Sequence, residues 1–285
     1  MVDYCFYKIG RFIAEHLPLK AAYAVAVFIS DVHYCFDWRD RRAVKANLKA
    51  IFPGKTDRQI RRIRIEMFRN FAKYLADFLR FSKLDKEYIE KNIKIENIGY
   101  FDEALAEGKG VIALSAHLGN WELGAGLVAF LGYPFWAVAL PHKYKKVDDF
   151  FNAQRRSQGV NVIPLGVAVR QCLKAFKENK IVALVGDRDF NENGPKLDFF
   201  GKPTILPQGP AAFALATGAR IVPCFMCRNE DDSFTMRIEK PIEFSPCGDK
   251  EKDTLALISK YKVIIEDYIR RYPEQWYMFR RFWAQ

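Results

Sequence analysis

The stretch that decides the fold is Lys109-Gly-Val-Ile-Ala-Leu-Ser-Ala-His117-Leu-Gly-Asn-Trp-Glu122-Leu-Gly-Ala-Gly126. Its apolar run, 110–116, is typical of a buried strand, and it delivers His117 to the point where the chain turns into a helix. Asn120 suits the N-cap of that helix. Glu122 falls in the first turn, where the helix dipole favours a carboxylate. The pattern predicts a strand–loop–helix unit with His117 in the loop.

The spacing of His117 and Glu122 predicts an acid–base pair. Residues five apart on an ideal helix point about 140° away from each other, so the two side chains meet only if His117 stays outside the helix. A fixed carboxylate would then hold the imidazole ready to take a proton. The alternative is a structural histidine, because a bare His–acid spacing also arises by chance.

The chain beyond residue 97 alternates apolar runs with helical segments. This alternation predicts an α/β fold with a mostly parallel central sheet flanked by helices. We expect strands near 110–116, 135–140, 160–164, 181–186, 220–227 and 234–239. We expect helices near 98–107, 121–131, 146–157, 167–178, 208–217 and 250–271. No linker separates a second unit, so residues 1–96 are predicted to form an added N-terminal helical layer on the 97–285 core.

The N-terminal layer has an amphipathic pattern that suits a membrane surface. Its first helix would place Lys8 and Arg11 beside an apolar side that also fits ordinary core packing. The uncharged run Ala21–Ser30 is well short of the roughly 20 residues of a membrane span, so peripheral binding is expected. No pattern of a cleavable signal peptide is found at the start, which predicts that the protein stays inside the cell.

Composition narrows the class of partner. The formal net charge is +11 and aromatic residues make up 15% of the chain, which favours a partner that is both anionic and apolar. The segments 38–49 and 56–81 carry most of this charge on helical faces. Helix-turn-helix, zinc-finger and RNP patterns are absent from the sequence, so we expect no nucleic-acid partner.

The cysteines predict thiols and not a metal site. Six cysteines follow no framework spacing, which indicates a reducing compartment. Cys224 and Cys227 form the one CxxC pattern, but positions three apart on a strand face opposite sides. We therefore expect no metal ligands in this chain.

Polar residues gather where predicted strands end, which is where reactive groups collect in such sheets. The sequence Asp187-Arg188-Asp189 follows the strand near 181–186, and Arg155-Arg156 end a predicted helix. Gly209 opens another helix, whose N-terminal amides suit an anion.

Six ordered motifs resemble the bacterial lipid A biosynthesis acyltransferase family, within the lysophospholipid acyltransferases. They also resemble relatives that acylate phosphatidylinositol mannosides. The motifs are His117-Leu-Gly-Asn-Trp-Glu122, Gln154-Arg-Arg-Ser-Gln-Gly159, Gly186-Asp-Arg-Asp189, Phe199-Phe-Gly201, Pro207-Gln-Gly-Pro-Ala-Ala-Phe-Ala-Leu-Ala-Thr-Gly218 and Pro273-Glu-Gln-Trp276.

The resemblance implies transfer of a fatty acyl group from an acyl carrier protein or CoA thioester to a hydroxyl of a glycolipid or lysolipid. His117 would be the general base and Glu122 would orient it. Arg156 or Arg155, with amides near Gly209, would stabilise the oxyanion.

The resemblance also assigns the remaining polar cluster. Arg188, between Asp187 and Asp189, would shape a phosphate site, or would close a loop as an ion pair. No metal, cofactor or acyl-enzyme is implied. The expected location is the cytoplasmic face of the plasma membrane.

Two departures from the family affect these expectations. Many members have an N-terminal membrane span, which the sequence here does not predict. Many place an arginine after the second strand, where this chain has His142-Lys143, so the acceptor is expected to differ.

Two rival functions follow from the same residues. One is a glycosyltransferase that uses Asp187-Arg188-Asp189 as a DxD-like metal site. The other is a lipid-binding module without turnover.

Overall fold

A computed structural model describes residues 2–189 and 192–283. Four helices form the N-terminal layer: α1 (Val2–His16), α2 (Leu19–Phe36), α3 (Trp38–Ile51) and α4 (Asp57–Leu79). Local signals explain their bounds. Asp37 caps α3 by accepting from the amide of Asp40, and Thr56 forms a reciprocal capping box with Gln59 at the start of α4.

The rest of the chain alternates strands and helices. In order these are α5 (Lys86–Asn92), β1 (Ile93–Glu96), α6 (Gly99–Ala106), β2 (Val111–Ser115), α7 (Trp121–Phe130), β3 (Phe135–Ala139), α8 (Lys145–Ser157), β4 (Asn161–Pro164), α9 (Ala168–Lys177), β5 (Ile181–Val185), β6 (Lys196–Phe199), β7 (Lys202–Ile205), α10 (Gly209–Thr217), β8 (Arg220–Arg228), β9 (Phe234–Ile238) and α11 (Lys250–Arg271). Short 3₁₀ turns cover Phe81–Lys83, Leu165–Val167 and Pro273–Gln275.

Within the described residues, seven strands form one sheet in the order β1-β9-β8-β2-β5-β3-β4. All neighbours are parallel except β8 and β9, so the predicted α/β fold with a mostly parallel sheet and N-terminal helices is confirmed. The six predicted strands and six predicted core helices are present within one or two residues. The β6–β7 hairpin was not predicted from the sequence, and neither was β1, which precedes residue 97 and pairs with β9.

The two faces of the sheet bury separate cores. Along β2, Ile112 and Leu114 point into a cluster shared with α9, α10 and α11. The alternate residues Val111 and Ala113 point into a second cluster, shared with α7 and α8. This alternation follows from the two-residue repeat of a strand, and it leaves β2 buried on both sides.

The outer side of the N-terminal layer is apolar and exposed. Phe6 and Phe12 on α1 are 68% and 63% exposed, and Phe28 and Phe36 on α2 are 69% and 79% exposed. As a helix, α2 runs for 18 residues and so extends beyond the uncharged run Ala21–Ser30, and it has the length and composition of a membrane span. The same length and composition also occur in helices that lie on a bilayer or pack on a protein.

Candidate active site

His117 lies in the loop between β2 and α7, as the sequence predicted. It comes two residues after the end of β2, and its side chain is 20% exposed. The Asn120 side chain caps α7 by accepting a hydrogen bond from the amide of Leu123 at 3.1 Å. Glu122 therefore lies in the first turn of α7, whereas His117 lies outside that helix, as predicted.

Gly119 lets the loop press against the end of β8. Its φ is 66°, and a Cβ atom there would lie 2.1 Å from the carbonyl oxygen of Met226. The next amide, that of Asn120, donates to the same oxygen at 2.7 Å. The loop that carries His117 is thus fixed to the sheet by contacts that only glycine permits.

The carboxylate that contacts His117 is Asp187. Nδ1 of His117 lies 2.9 Å from Oδ1 of Asp187, and the His117 amide donates to Oδ2 at 3.1 Å. Ser115 on β2 pairs with Val185 on β5, so positions 117 and 187 both lie two residues beyond a matched pair of adjacent parallel strands. Asp187 therefore makes the contact at Nδ1 that was expected from Glu122, and the catalytic role of Glu122 stays a prediction.

Trp276 completes the surroundings of Asp187. Its indole Nε1 donates to Oδ2 of Asp187 at 3.0 Å, and the tryptophan is fully buried. The neighbouring amide of Tyr277 donates to the His117 carbonyl at 2.9 Å. This contact was not predicted from the sequence, although Trp276 closes the last of the six motifs.

The setting of Asp187 favours its ionised form. Burial alone would raise the pKa of this carboxyl, but the charge of His117 and the hydrogen bonds from His117 and Trp276 outweigh burial and hold the pKa below its usual value. An ionised carboxylate at Nδ1 places a proton there. Nε2 is then the nitrogen that can accept a proton.

Glu122 is paired with Arg155. Nε and Nη2 of Arg155 donate to the Glu122 carboxylate at 3.0 and 2.5 Å, and both side chains are about nine-tenths buried. Burial lowers the pKa of Arg155, but the neighbouring Glu122 charge raises it to a net value above the usual one. Arg155 is therefore charged, and Glu122 fixes its guanidinium beside the cavity described next.

A cavity of about 590 Å³ opens beside His117, on the face of the sheet that carries α7. Its floor is a row of three alanines in matched register on neighbouring strands, Ala113, Ala183 and Ala137. Toward the strand N-termini Phe135 narrows it. The small side chains leave room above the sheet, and the volume is typical of a small-molecule site.

The cavity brings together some predicted residues and not others. His117, Glu122, Arg155 and Arg188 line it. Burial, and the positive charge of Arg280, lower the pKa of Arg188. His142, from one of the departures noted above, also lines the cavity.

Arg156 and Gly209 lie elsewhere. Arg156 is exposed on α8, and α10 packs on the opposite face of the sheet, where Ala211 joins the cluster of Ile112 and Leu114. Neither belongs to the described lining of the cavity. Their contacts with substrate remain predictions.

Asp189 closes a turn. Its carboxylate accepts from the amides of Asn193 and Gly194 at 3.0 and 2.7 Å. Asp187, as described above, faces His117 and Trp276. The two carboxylates therefore engage different parts of the protein, an arrangement unlike a pair of ligands converging on one metal.

Comparisons with known proteins point to one family. The sequence profile of the family described as bacterial lipid A biosynthesis acyltransferase matches residues 2–285. A phosphatidylinositol mannoside acyltransferase of Mycolicibacterium smegmatis is 31% identical over 219 residues, 75% of this chain and 70% of that protein. A lipid A biosynthesis acyltransferase of Haemophilus influenzae is 24% identical over 242 residues, 84% of this chain and 74% of its own. The chain therefore belongs to the bacterial lipid A biosynthesis acyltransferase family, and it is an acyl-transferring enzyme.

Proposed function

We propose that this enzyme transfers a fatty acyl group from a thioester of acyl carrier protein or CoA to a hydroxyl group of a glycolipid. The observation that carries the proposal is the His117–Asp187 pair beside a cavity floored by alanines. The names of the relatives, which describe acylation in lipid A biosynthesis and of phosphatidylinositol mannosides, support a glycolipid as the acceptor.

The proposed reaction uses His117 as general base. Nε2 takes the proton of the acceptor hydroxyl while its oxygen attacks the thioester carbonyl carbon, so a C–O bond forms and a tetrahedral oxyanion develops. The oxyanion collapses, the C–S bond breaks, and the imidazolium returns the proton to the departing thiolate. Asp187 holds the ring and stabilises the imidazolium. The thioester is already activated, so the chemistry asks for no bound cofactor.

Two cationic side chains that line the cavity would serve the substrates. Arg155 carries a full charge, is held rigid by Glu122 and lines the cavity, which suits an oxyanion that forms beside His117. Arg188 lines the same cavity and suits a phosphate of the donor or acceptor.

The enzyme would work on the cytoplasmic face of the plasma membrane as a peripheral protein. Acyl carrier protein and CoA thioesters are cytoplasmic, and the acceptor lies in the bilayer. The exposed apolar side of α1 and α2, with the net charge of +11, supports contact with an anionic lipid surface.

The direct test supplies palmitoyl-CoA or palmitoyl-acyl carrier protein and a glycolipid extract in detergent, and follows the acylated product by mass spectrometry. We expect transfer by the native protein and a loss of roughly 1,000-fold or more in the His117→Ala and Asp187→Asn variants. The exposed carboxylate variant Asp198→Asn is the matched control and should keep full activity. Transfer at the native rate by a folded His117→Ala protein would refute the mechanism.

A further inference from the structure

We call the loop between β2 and α7, which carries His117, the catalytic loop. A buried polar cluster lies behind it, outside the described lining of the cavity. At its centre the carboxylate of Asp77 on α4 pairs with the guanidinium of Arg228 at the end of β8. Their side chains are 2% and 4% exposed. We call Asp77, Arg228, Tyr23 and Asn120 the loop anchor.

Burying the Asp77 and Arg228 charges of the loop anchor costs free energy. Removing two charges from water carries a penalty that a buried ion pair only partly recovers, and well-packed apolar residues often serve stability as well. Asp77 therefore needs an explanation beyond stability. Buried polar groups of this kind are most useful where they fix one arrangement of the chain.

Asn120 joins the loop anchor to the catalytic loop. Its Nδ2 donates to Asp77 at 2.9 Å while its Oδ1 accepts from the amide of Leu123, so one planar side-chain amide is held at both ends. Asn120 is three residues after His117 and two before Glu122. The hydrogen bond between Asp77 and the Asn120 side chain therefore also holds the start of α7 and the loop beside it.

Arg228 ties the same loop from the other side. Gln275 forms two hydrogen bonds with the backbone of Arg228, at 2.9 and 2.8 Å, and its own carbonyl accepts from the amide of Gly119 at 2.9 Å. The catalytic loop is thus held between Asp77 and the end of β8.

Tyr23 extends the loop anchor to α2. Its hydroxyl donates to Asp77, and its ring packs on the Arg228 guanidinium at 4.9 Å. Tyr23 is buried, whereas Phe28 and Ile29 on the same helix are 69% and 60% exposed. One side of α2 therefore faces the surroundings of the protein while the other holds the carboxylate that holds Asn120.

We propose that Asp77 is a positioning residue for acyl transfer, which acts through Asn120 on the loop that carries His117, and that Tyr23 couples the position of α2 to that loop. This inference rests on the proposed function for its kinetic consequence. Its structural consequence, a loop held by Asp77 and Tyr23, does not depend on the reaction.

The test uses substitutions that remove one link and keep the fold. Asn120→Ser keeps an N-cap oxygen for α7 but lacks the amide donor to Asp77. Tyr23→Phe removes the hydroxyl alone. Tyr34→Phe is the matched control, because Tyr34 is on the same helix and its hydroxyl accepts from Arg64 at 2.9 Å, away from the loop anchor. Asp77 is left intact, since losing its charge would strand Arg228.

The first measurement is steady-state transfer from palmitoyl-CoA to the glycolipid extract. We expect kcat to fall roughly 10-fold or more in Asn120→Ser, and in the same direction by less in Tyr23→Phe, with KM for palmitoyl-CoA within about twofold of the native value. Tyr34→Phe should match the native enzyme. Native kcat in both Asn120→Ser and Tyr23→Phe, or a change confined to KM, would overturn the proposal.

The second measurement is amide hydrogen exchange over residues 115–123, which needs no substrate. Exchange at Gly119 and Asn120, whose amides are bonded to Gln275 and Met226, should accelerate in Asn120→Ser and Tyr23→Phe and stay native in Tyr34→Phe. Unchanged exchange in the first two variants overturns the coupling. If the native protein acylates no glycolipid while exchange responds as expected, the proposed function fails and the structural link stands.

Discussion

Glu122 and Asp187 show how the same side-chain chemistry takes different roles through its contacts. Asp187 is surrounded by donors from His117 and Trp276, which keeps it ionised and keeps the imidazole ring in one orientation. Glu122 pairs with the guanidinium of Arg155, and this contact holds the Arg155 side chain in a buried position. We therefore expect a substitution at either residue to reduce activity for a different physical reason.

The Glu122–Arg155 pair should be strongly coupled in stability. Glu122→Leu alone leaves a buried guanidinium without its partner and should lower the free energy of unfolding by about 3–5 kcal/mol. Arg155→Met alone should cost a similar amount. The double variant should recover much of the loss, because both charges leave together. Urea denaturation of the four proteins measures the coupling, and additive losses would contradict it.

The pKa of Asp187 predicts a pH dependence of stability. Because the pKa is lower in the folded than in the unfolded chain, the carboxylate contributes stability that is complete above the ordinary aspartate pKa of about 3.9. This contribution is lost as the pH falls through the lower folded value. The gap in unfolding free energy between the native protein and Asp187→Asn should therefore narrow from about pH 5 to about pH 2. Urea titrations across that range check it; a constant gap would argue against an ionised Asp187.

The sequence predicted where His117 and Glu122 lie but not which carboxylate contacts the imidazole. An N-cap asparagine and an apolar run are local signals, so they placed His117 in a loop and Glu122 in a first turn. The contact with Asp187 depends on β5 being the neighbour of β2, which no short stretch of one sequence specifies. Trp276 was missed for the same reason, because it reaches the site through the packing of the chain terminus.

At the level of elements, the register of three strands explains the cavity. Ala113, Ala183 and Ala137 occupy matched positions on β2, β5 and β3, so their methyl groups form one low row. Matched positions nearer the strand N-termini hold Val111, Ile181 and Phe135, which are larger. The space above the sheet is therefore open beside His117 and narrows away from it.

We expect the acyl chain of the donor to lie along this row of alanines, so the register predicts how acyl-chain length is selected. Ala137→Leu should fill part of the row and shift preference toward donors shorter by several carbons, while octanoyl-CoA keeps near-native kcat/KM. The measurement compares kcat/KM for a series of acyl-CoA donors from 8 to 18 carbons. The exposed variant Ala46→Leu on α3 is the control. An unchanged preference in Ala137→Leu would place the acyl chain elsewhere.

Helix ends in the N-terminal layer were predictable because their caps are local. Thr56 with Gln59 sets the start of α4. The uncharged run Ala21–Ser30 is shorter than α2, because the charged residues Lys20 and Asp31 also lie inside the helix. β1 and the β6–β7 hairpin were missed because strands of four residues give little periodicity.

For the whole molecule, apolar exposure and positive charge lie in the same layer. Phe28 and Phe36 are among the most exposed large apolar side chains on α2, and Arg58, Arg61 and Arg62 on α4 are exposed as well. Burying a phenylalanine side chain contributes about 1.5–3 kcal/mol, and a basic residue near an anionic bilayer about 1 kcal/mol. We therefore expect these side chains together to hold the protein on an anionic membrane surface.

A vesicle-binding experiment should separate the apolar contribution of the phenylalanines from the electrostatic contribution of the arginines. Phe28→Ser with Phe36→Ser should lower the partition coefficient by roughly 100-fold or more on both neutral and anionic vesicles, because the lost contact is apolar. Arg58→Gln, Arg61→Gln and Arg62→Gln together should lower it on anionic vesicles alone, and 0.5 M salt should abolish that difference, because screened charges no longer attract. Val263→Ser, which alters an exposed valine on α11, is the control. Cosedimentation with phosphatidylcholine vesicles, with and without phosphatidylglycerol, measures all three, and native binding by the double serine variant would show that α2 does not face the bilayer.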